Sequence, residues 1–204
     1  MKDENRESMR LVGDHAPIEL PEVFDLLFAV AAASAVRGAL GTVIFGTTFP
    51  DQNLPALLIV DWDLHPIEGA LPHYIPSVFS RLKTLRTAHK VFHEPILLVE
   101  PRGLGKTVLL EGGKTDYPVH ELPESLTKLD LADRATAALT YVHLGQVKFS
   151  RPAFEQTVNF RGTDRNHLRT QIAEYTIDQR ADSAELLNAW CLGIIAKLEE
   201  PARK

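Results

Sequence analysis

The sequence predicts an α/β fold, a mixed sheet with helices packed on it, from three observations. Three apolar runs follow one another at hairpin spacing between Phe24 and Leu64, which reads as an antiparallel meander. A short apolar run, Ile96-Leu97-Leu98-Val99, is bounded by Pro95 and Pro101 and reads as a strand buried on both faces. Apolar stripes of helical period stand before that run and dominate the chain after it, the pattern of helices layered on a sheet.

Taken in order, residues 1–21 are polar, contain Pro17 and Pro21, and read as a flexible N-terminal arm. A single domain is expected over 22–200. Phe24–Ala32 is rich enough in alanine to suit a helix, but two clear strands follow it, Thr42–Thr48 and Ala56–Leu64, and the strand reading is preferred. Gly38 and Gly41 punctuate the first gap and Pro50-Asp51-Gln52-Asn53 the second. Ile75, Val78, Phe79, Leu82 and Leu85 then predict a helix over about 75–89, with Pro76 in its first turn. After Val99, a glycine turn leads into a second helix ending near Gly112-Gly113. Tyr117–Leu122 suits a short edge strand, its pairing limited by Pro118 and Pro123. Leu131, Ala135, Ala138, Leu139 and Val142 mark another helix, with Gly145 as its C-terminal stop. Val147-Lys148-Phe149 is a brief extended piece, and His167–Tyr175 a helix. The clearest helix is the last, with Leu186, Leu187, Trp190, Cys191, Ile194, Ile195 and Leu198 on one face.

At 204 residues and 45% hydrophobic, the chain suffices for one domain with a full core. A formal charge of −5 supplies no global basic signature for nucleic acid. The lone Cys191 excludes an intrachain disulfide framework and fits a reducing cytoplasm. The longest apolar run, near Leu26–Ala35, spans only about ten residues, too few to cross a bilayer, and no membrane association is expected. The charged N-terminus does not resemble a signal peptide.

The chemistry concentrates on Glu100, which stands where the Ile96–Val99 strand ends, the place where sites of parallel sheets lie. Gly105-Lys106-Thr107 ends like a phosphate-binding loop. However, the first glycine of that motif is matched by Glu100, whose carboxylate would repel phosphate. Nucleotide binding is therefore the lesser alternative. The other reading is a set of carboxylates converging on divalent cations, since Mg²⁺ takes oxygen ligands and paired ions clamp a phosphodiester. Glu100, Asp182 and Glu185 are the candidates for both catalysis and metal ligation. Asp182-Ser183-Ala184-Glu185 also has capping-box spacing, and the two roles can coexist. Asp61 and Asp63 share one strand face, where a solvated surface is the commoner explanation. Basic residues between Lys148 and Arg180, interleaved with Phe149, Phe154 and Phe160, suit either a phosphate backbone or a solvated face.

Several stretches together resemble the C-terminal nuclease domain of the tailed-phage terminase large subunit. They are Ile59-Val60-Asp61-Trp62-Asp63, Ile67-Glu68-Gly69-Ala70, Pro76-Ser77-Val78-Phe79-Ser80-Arg81-Leu82, Leu98-Val99-Glu100, Asp133-Arg134-Ala135, Tyr141 through Lys148, Arg165-Asn166-His167-Leu168 and Glu185 through Gly193. Their order and spacing carry the resemblance, over roughly 24–198. It implies an RNase H-like fold and a Mg²⁺- or Mn²⁺-dependent endonuclease acting in DNA packaging. The implied partners are double-stranded DNA and portal or other terminase components, in the cytoplasm of a bacterial host cell, from a phage or prophage gene. By position, Glu100 is the fourth-strand acid. The first-strand acid falls at Ala32, the residue after Glu100 is Pro101, and the last helix carries Asp182, Glu185 and Asn188. Loss of the acid at Ala32 leaves the cluster incomplete. The alternative is a non-catalytic domain that binds DNA or a packaging protein.

Overall fold

The structure, a computed structural model, describes residues 16–67, 71–176, 178 and 184–198. Its framework is a six-stranded mixed sheet in the order β7-β6-β2-β3-β4-β8. The strands are β2 (Leu26–Ser34), β3 (Ala39–Thr47), β4 (Leu57–Pro66), β6 (Ile96–Val99), β7 (Val119–Glu121) and β8 (Val147–Phe149). β2, β3 and β4 form the expected antiparallel meander, while β6 joins β2, β7 joins β6 and β8 joins β4 in parallel. Every strand except β3 thus points the same way, and their carboxyl ends share one rim. Away from this sheet, β1 (Val23–Phe24) and β5 (Lys90–Val91) make a small parallel pair, and β9 (Val158–Phe160) and β10 (Thr163–Arg165) a hairpin.

β2 is apolar throughout because both faces of the sheet are covered. Phe28, Val30 and Ala32 face one core, and Leu27, Ala29 and Ala31 the other. This resolves the helix-or-strand ambiguity of the alanine run: Ala residues are needed where helices press close on both sides. The second core lies beneath α1 (Leu71–Ala88) and α2 (Leu104–Gly112). α1 starts earlier than its apolar stripe, so Pro76 falls in the second turn rather than the first. The first core holds α7 (Glu185–Leu198), with α3 (Glu124–Thr127), α4 (Leu131–His143) and α6 (His167–Ala173) packed outside it. α7 was expected to bury one face; instead every residue from Glu185 to Ile195 is buried, because it runs between the sheet and these outer helices. Its start lies close against the sheet at Gly41 on β3, where a Cβ would lie 2.8 Å from the backbone of Glu185 and Leu186.

Two features were not legible in the pattern. α5 (Arg151–Glu155) is capped by Ser150, and Trp62 on β4 reaches across to it, its indole donating to the Ala153 carbonyl at 3.0 Å. A bulge at Val60 shifts the β3–β4 register, so that Val60 and Asp61 both turn towards α1. At the chain's described start, Ile18 bridges Ser150 in parallel, and residues of the expected arm before 16 lie outside the described residues. No helix among the described residues is long and apolar enough to cross a membrane.

Candidate functional site

Glu100 follows β6 directly, its amide donating to the Ala31 carbonyl at 3.0 Å. The chain then turns sharply through Gly103, at φ 52°, into α2. Gly105 sits so close to the Glu100 carbonyl oxygen that any Cβ would collide with it. The Gly105-Lys106-Thr107 triplet is therefore the first turn of a helix, and its glycine serves the packing of that helix against the strand end.

The Glu100 side chain points to the α7 side of the sheet and is buried. Its Oε1 accepts from Arg134 Nη1 at 2.8 Å and its Oε2 from Asn188 Nδ2 at 2.6 Å. Arg134, on α4, is wholly buried. It donates from Nη1 to Asn188 Oδ1 as well, and from Nη2 to the Thr127 carbonyl at 2.8 Å. Arg102 also donates to that carbonyl, and its Nε lies 3.8 Å from Glu100 Oε1. A buried carboxylate requires a partner that both neutralises it and fills its lone pairs. Arg134 supplies the charge and Asn188 completes the hydrogen bonding.

Glu185 opens α7 one turn before Asn188 and has no exposed surface. Its Oε1 accepts from Gln171 at 3.1 Å and lies 3.3 Å from Arg37 Nε, on the β2–β3 turn. Gln171 in turn accepts the amides of Leu186 and Leu187, so it caps α7 from α6. Glu185 Oε2 has no hydrogen-bond partner among the described residues. Asp182 and its capping-box spacing lie outside the described residues. Ala32, on the same sheet face as Glu100, contributes only a methyl group.

The remaining acids face elsewhere. Asp61 and Asp63 lie on the α1 side, where Arg81 donates to both oxygens of Asp61 at 2.8 and 2.7 Å and also pairs with Asp63. Burial raises the Asp61 carboxyl above its usual range, against the opposing pull of Arg81. Burial acts upward on Asp63 too, but the His65 hydrogen bond and the Arg81 charge outweigh it and bring it down to about 2. His65 Nε2 lies 3.1 Å from Asp63 Oδ2. This cluster ties α1 to β4, and the solvated strand face expected for the pair is corrected to an ion-paired, half-buried one.

The basic run is largely spent on internal partners. Arg151 pairs with Glu19 and Glu155, Arg165 with Glu174, and the Arg169 guanidinium lies 3.7 Å above the Phe154 ring. Arg37 and Arg161 both lie over the Phe160 ring, at 5.9 and 5.4 Å from its centroid.

Paired-metal cleavage needs several carboxylates converging on the cations. Among the described residues no group of three His, Cys, Asp or Glu side chains could hold a metal ion. Glu100 is engaged by Arg134 and Asn188, Glu185 by Gln171 and Arg37, and the position beside Glu100 on β2 is Ala32. The described residues therefore do not fit a two-metal cluster. Arg134, Gln171 and Arg37 were not singled out for this site by the sequence reading, which named Asn188 only as standing where the resemblance places an acid of the last helix. Arg134 carried a signal: it falls three residues after Leu131 and four before Ala138, on the apolar face of its helix, where a charge needs a buried partner.

No protein-family model matches the chain, and no curated protein matches it. Solved structures do. The human cytomegalovirus terminase nuclease domain, Mn soaked, superposes with a TM-score of 0.60 at 11% identity, covering 98% of this chain and 97% of that one. The same domain Mn soaked with inhibitor bound gives 0.59 at 12% identity, covering 98% and 94%. A further structure of that domain gives 0.56 at 13% identity, covering 98% and 95%. With the sheet order and helix layers above, this likeness shows that the chain has the RNase H-like fold of the terminase nuclease domains.

Proposed function

We propose that this chain is a terminase-nuclease-like domain of a phage DNA-packaging apparatus that contacts double-stranded DNA without cleaving it. The observation that carries this reading is the state of Glu100: both carboxylate oxygens accept hydrogen bonds from Arg134 and Asn188, beside Ala32. A carboxylate so occupied, with no second acid across from it among the described residues, lacks the arrangement that bridges two cations. Contact with DNA is supported by Arg161, beside Gly38 of the β2–β3 turn, by Arg37 on that turn and by Arg102 just beyond β6. They stand at the same rim, although Arg37 also pairs with Glu185 and Arg102 with the Thr127 carbonyl. Side chains of this kind neutralise phosphates without reading sequence. Portal or other terminase components are the protein partners this reading implies, in the bacterial cytoplasm.

The competing reading is a Mg²⁺- or Mn²⁺-dependent endonuclease using Glu100, Asp182 and Glu185. It requires Arg134 and Asn188 to release Glu100. Incubation of the purified chain with supercoiled plasmid and Mn²⁺ or Mg²⁺ separates the two. The expected result is no nicking, together with salt-sensitive binding to a DNA duplex that weakens in the Arg37→Ala/Arg161→Ala double variant. Nicking that disappears in Glu100→Ala would establish the endonuclease instead.

A further inference from the structure

Seen from Arg134, the site is an oxygen cage around a cation. The guanidinium donates to three acceptors of different kinds: Glu100 Oε1, the Asn188 amide oxygen and the Thr127 carbonyl. One carboxylate, one amide and one backbone carbonyl make an all-oxygen set, the donor chemistry that hard cations take. Three separate elements supply it, the end of β6, the first turns of α7 and the end of α3. Charge matches within the buried part of the site. Glu100 carries one negative charge and Arg134, 2.8 Å away, one permanent positive charge, and Ala32 adds none. The half-exposed Arg102 stands farther off, at 3.8 Å.

We propose that Glu100, Asn188 and the Thr127 carbonyl form a cation site that the chain fills with its own Arg134 guanidinium. The domain so carries its cation covalently and takes up no divalent metal there. The proposal rests on the non-cleaving reading above but makes a separate claim, that the cage is selective for positive charge. A guanidinium suits such a site in one further respect: it is planar, more weakly hydrated than an ammonium, and presents several donors at once. Fixed on α4 in the core, it is also supplied at no cost in association entropy, which a diffusible ion must overcome.

The proposal predicts chemical rescue. In Arg134→Ala the cage is left with a buried carboxylate whose nearest cation is the half-exposed Arg102 at 3.8 Å, and thermal unfolding should fall well below that of the parent chain. Titration with millimolar methylguanidinium or Mn²⁺ should then raise its Tm by roughly 5–10 °C at about a hundredfold excess over Kd. The parent chain and the Glu100→Gln/Arg134→Ala double variant should show no such rise, with choline chloride as the ionic-strength control. The proposal is overturned if neither cation moves the Tm of Arg134→Ala, or if Mn²⁺ stabilises the parent chain and Glu100→Gln abolishes that effect. Should Arg134→Ala not fold, Arg134→Lys and Arg134→Met decide: a Tm clearly higher for Lys, the variant that keeps a cation, supports the cage, and equal Tm values overturn it. Plasmid nicking is a separate readout. Cleavage by the parent chain defeats the non-cleaving reading, whereas absent rescue without cleavage defeats only the cage.

Discussion

Arg134 and Glu100 form a buried ion pair at 2.8 Å that joins α4 to the end of β6 across the core. Removing one partner of such a pair leaves the other charged and unsolvated, which costs about 3–5 kcal/mol, whereas replacing both is far milder. Arg134→Met is therefore expected to destabilise by that amount. Glu100→Gln/Arg134→Met should recover much of the loss. Urea unfolding of the two single variants and the double variant measures the coupling, and additive effects would show that the pair is not one energetic unit.

Gly41 and Glu185 set how closely α7 approaches the sheet. A Cβ at Gly41 would meet backbone atoms 2.8 Å away, which no side-chain rotation relieves. Gly41→Ala is expected to cost about 1–3 kcal/mol, with a fall in Tm of about 2–4 °C per kcal/mol. Gly113, at φ −65° with its nearest neighbours 3.7 Å from a built Cβ, is the control. Gly113→Ala should leave Tm unchanged or slightly raised.

The Asp63 carboxyl is lowered from 3.8 to about 2 in the folded chain, so its contribution to stability is present above pH 3.8 and lost as pH falls towards 2. Asp61 is shifted the other way, and its ionisation opposes folding above its raised folded value. Asp63→Asn should thus flatten the acid limb of the stability profile by about 2 kcal/mol between roughly pH 4 and 2. Asp61→Asn should not flatten it. Unfolding free energies measured across that range in the three proteins give the test.

Cys191 lies in the middle of α7 with no exposed surface, and burial pushes its thiol well above the ordinary range. Both factors deny it the thiolate that reacts with disulfide reagents. An aromatic disulfide reagent should find no reactive thiol in the native chain and one in denaturant. Native-state labelling, where seen, should proceed at the rate of core opening. Rapid native labelling would mean that α7 is not held as described.

The meander, the parallel β6 and the last helix were legible because each has a local signature: hairpin spacing, a proline-bounded apolar run, a long helical stripe. Glu100 was legible too, since a carboxylate at the end of a buried strand is conspicuous. Its pairing was not. Arg134 is separated from Glu100 by α2, β7 and α3, and Asn188 lies on another helix, so nothing local in the sequence joins them. The β9–β10 hairpin escaped notice because its strands are three residues long, too short to show a period, and β10, Thr163-Asp164-Arg165, carries no apolar side chain.

By itself, then, the sequence determined the α/β class, the order of the main elements and the carboxylate that ends β6, because periodicity and residue type are properties of short stretches. Only the tertiary structure decided what partners that carboxylate, Glu100, beside Ala32. Whether a buried carboxylate meets another acid or a guanidinium depends on which helices cross above it. Here α4 and α7 bring Arg134 and Asn188 to Glu100 from positions 34 and 88 residues away in the chain.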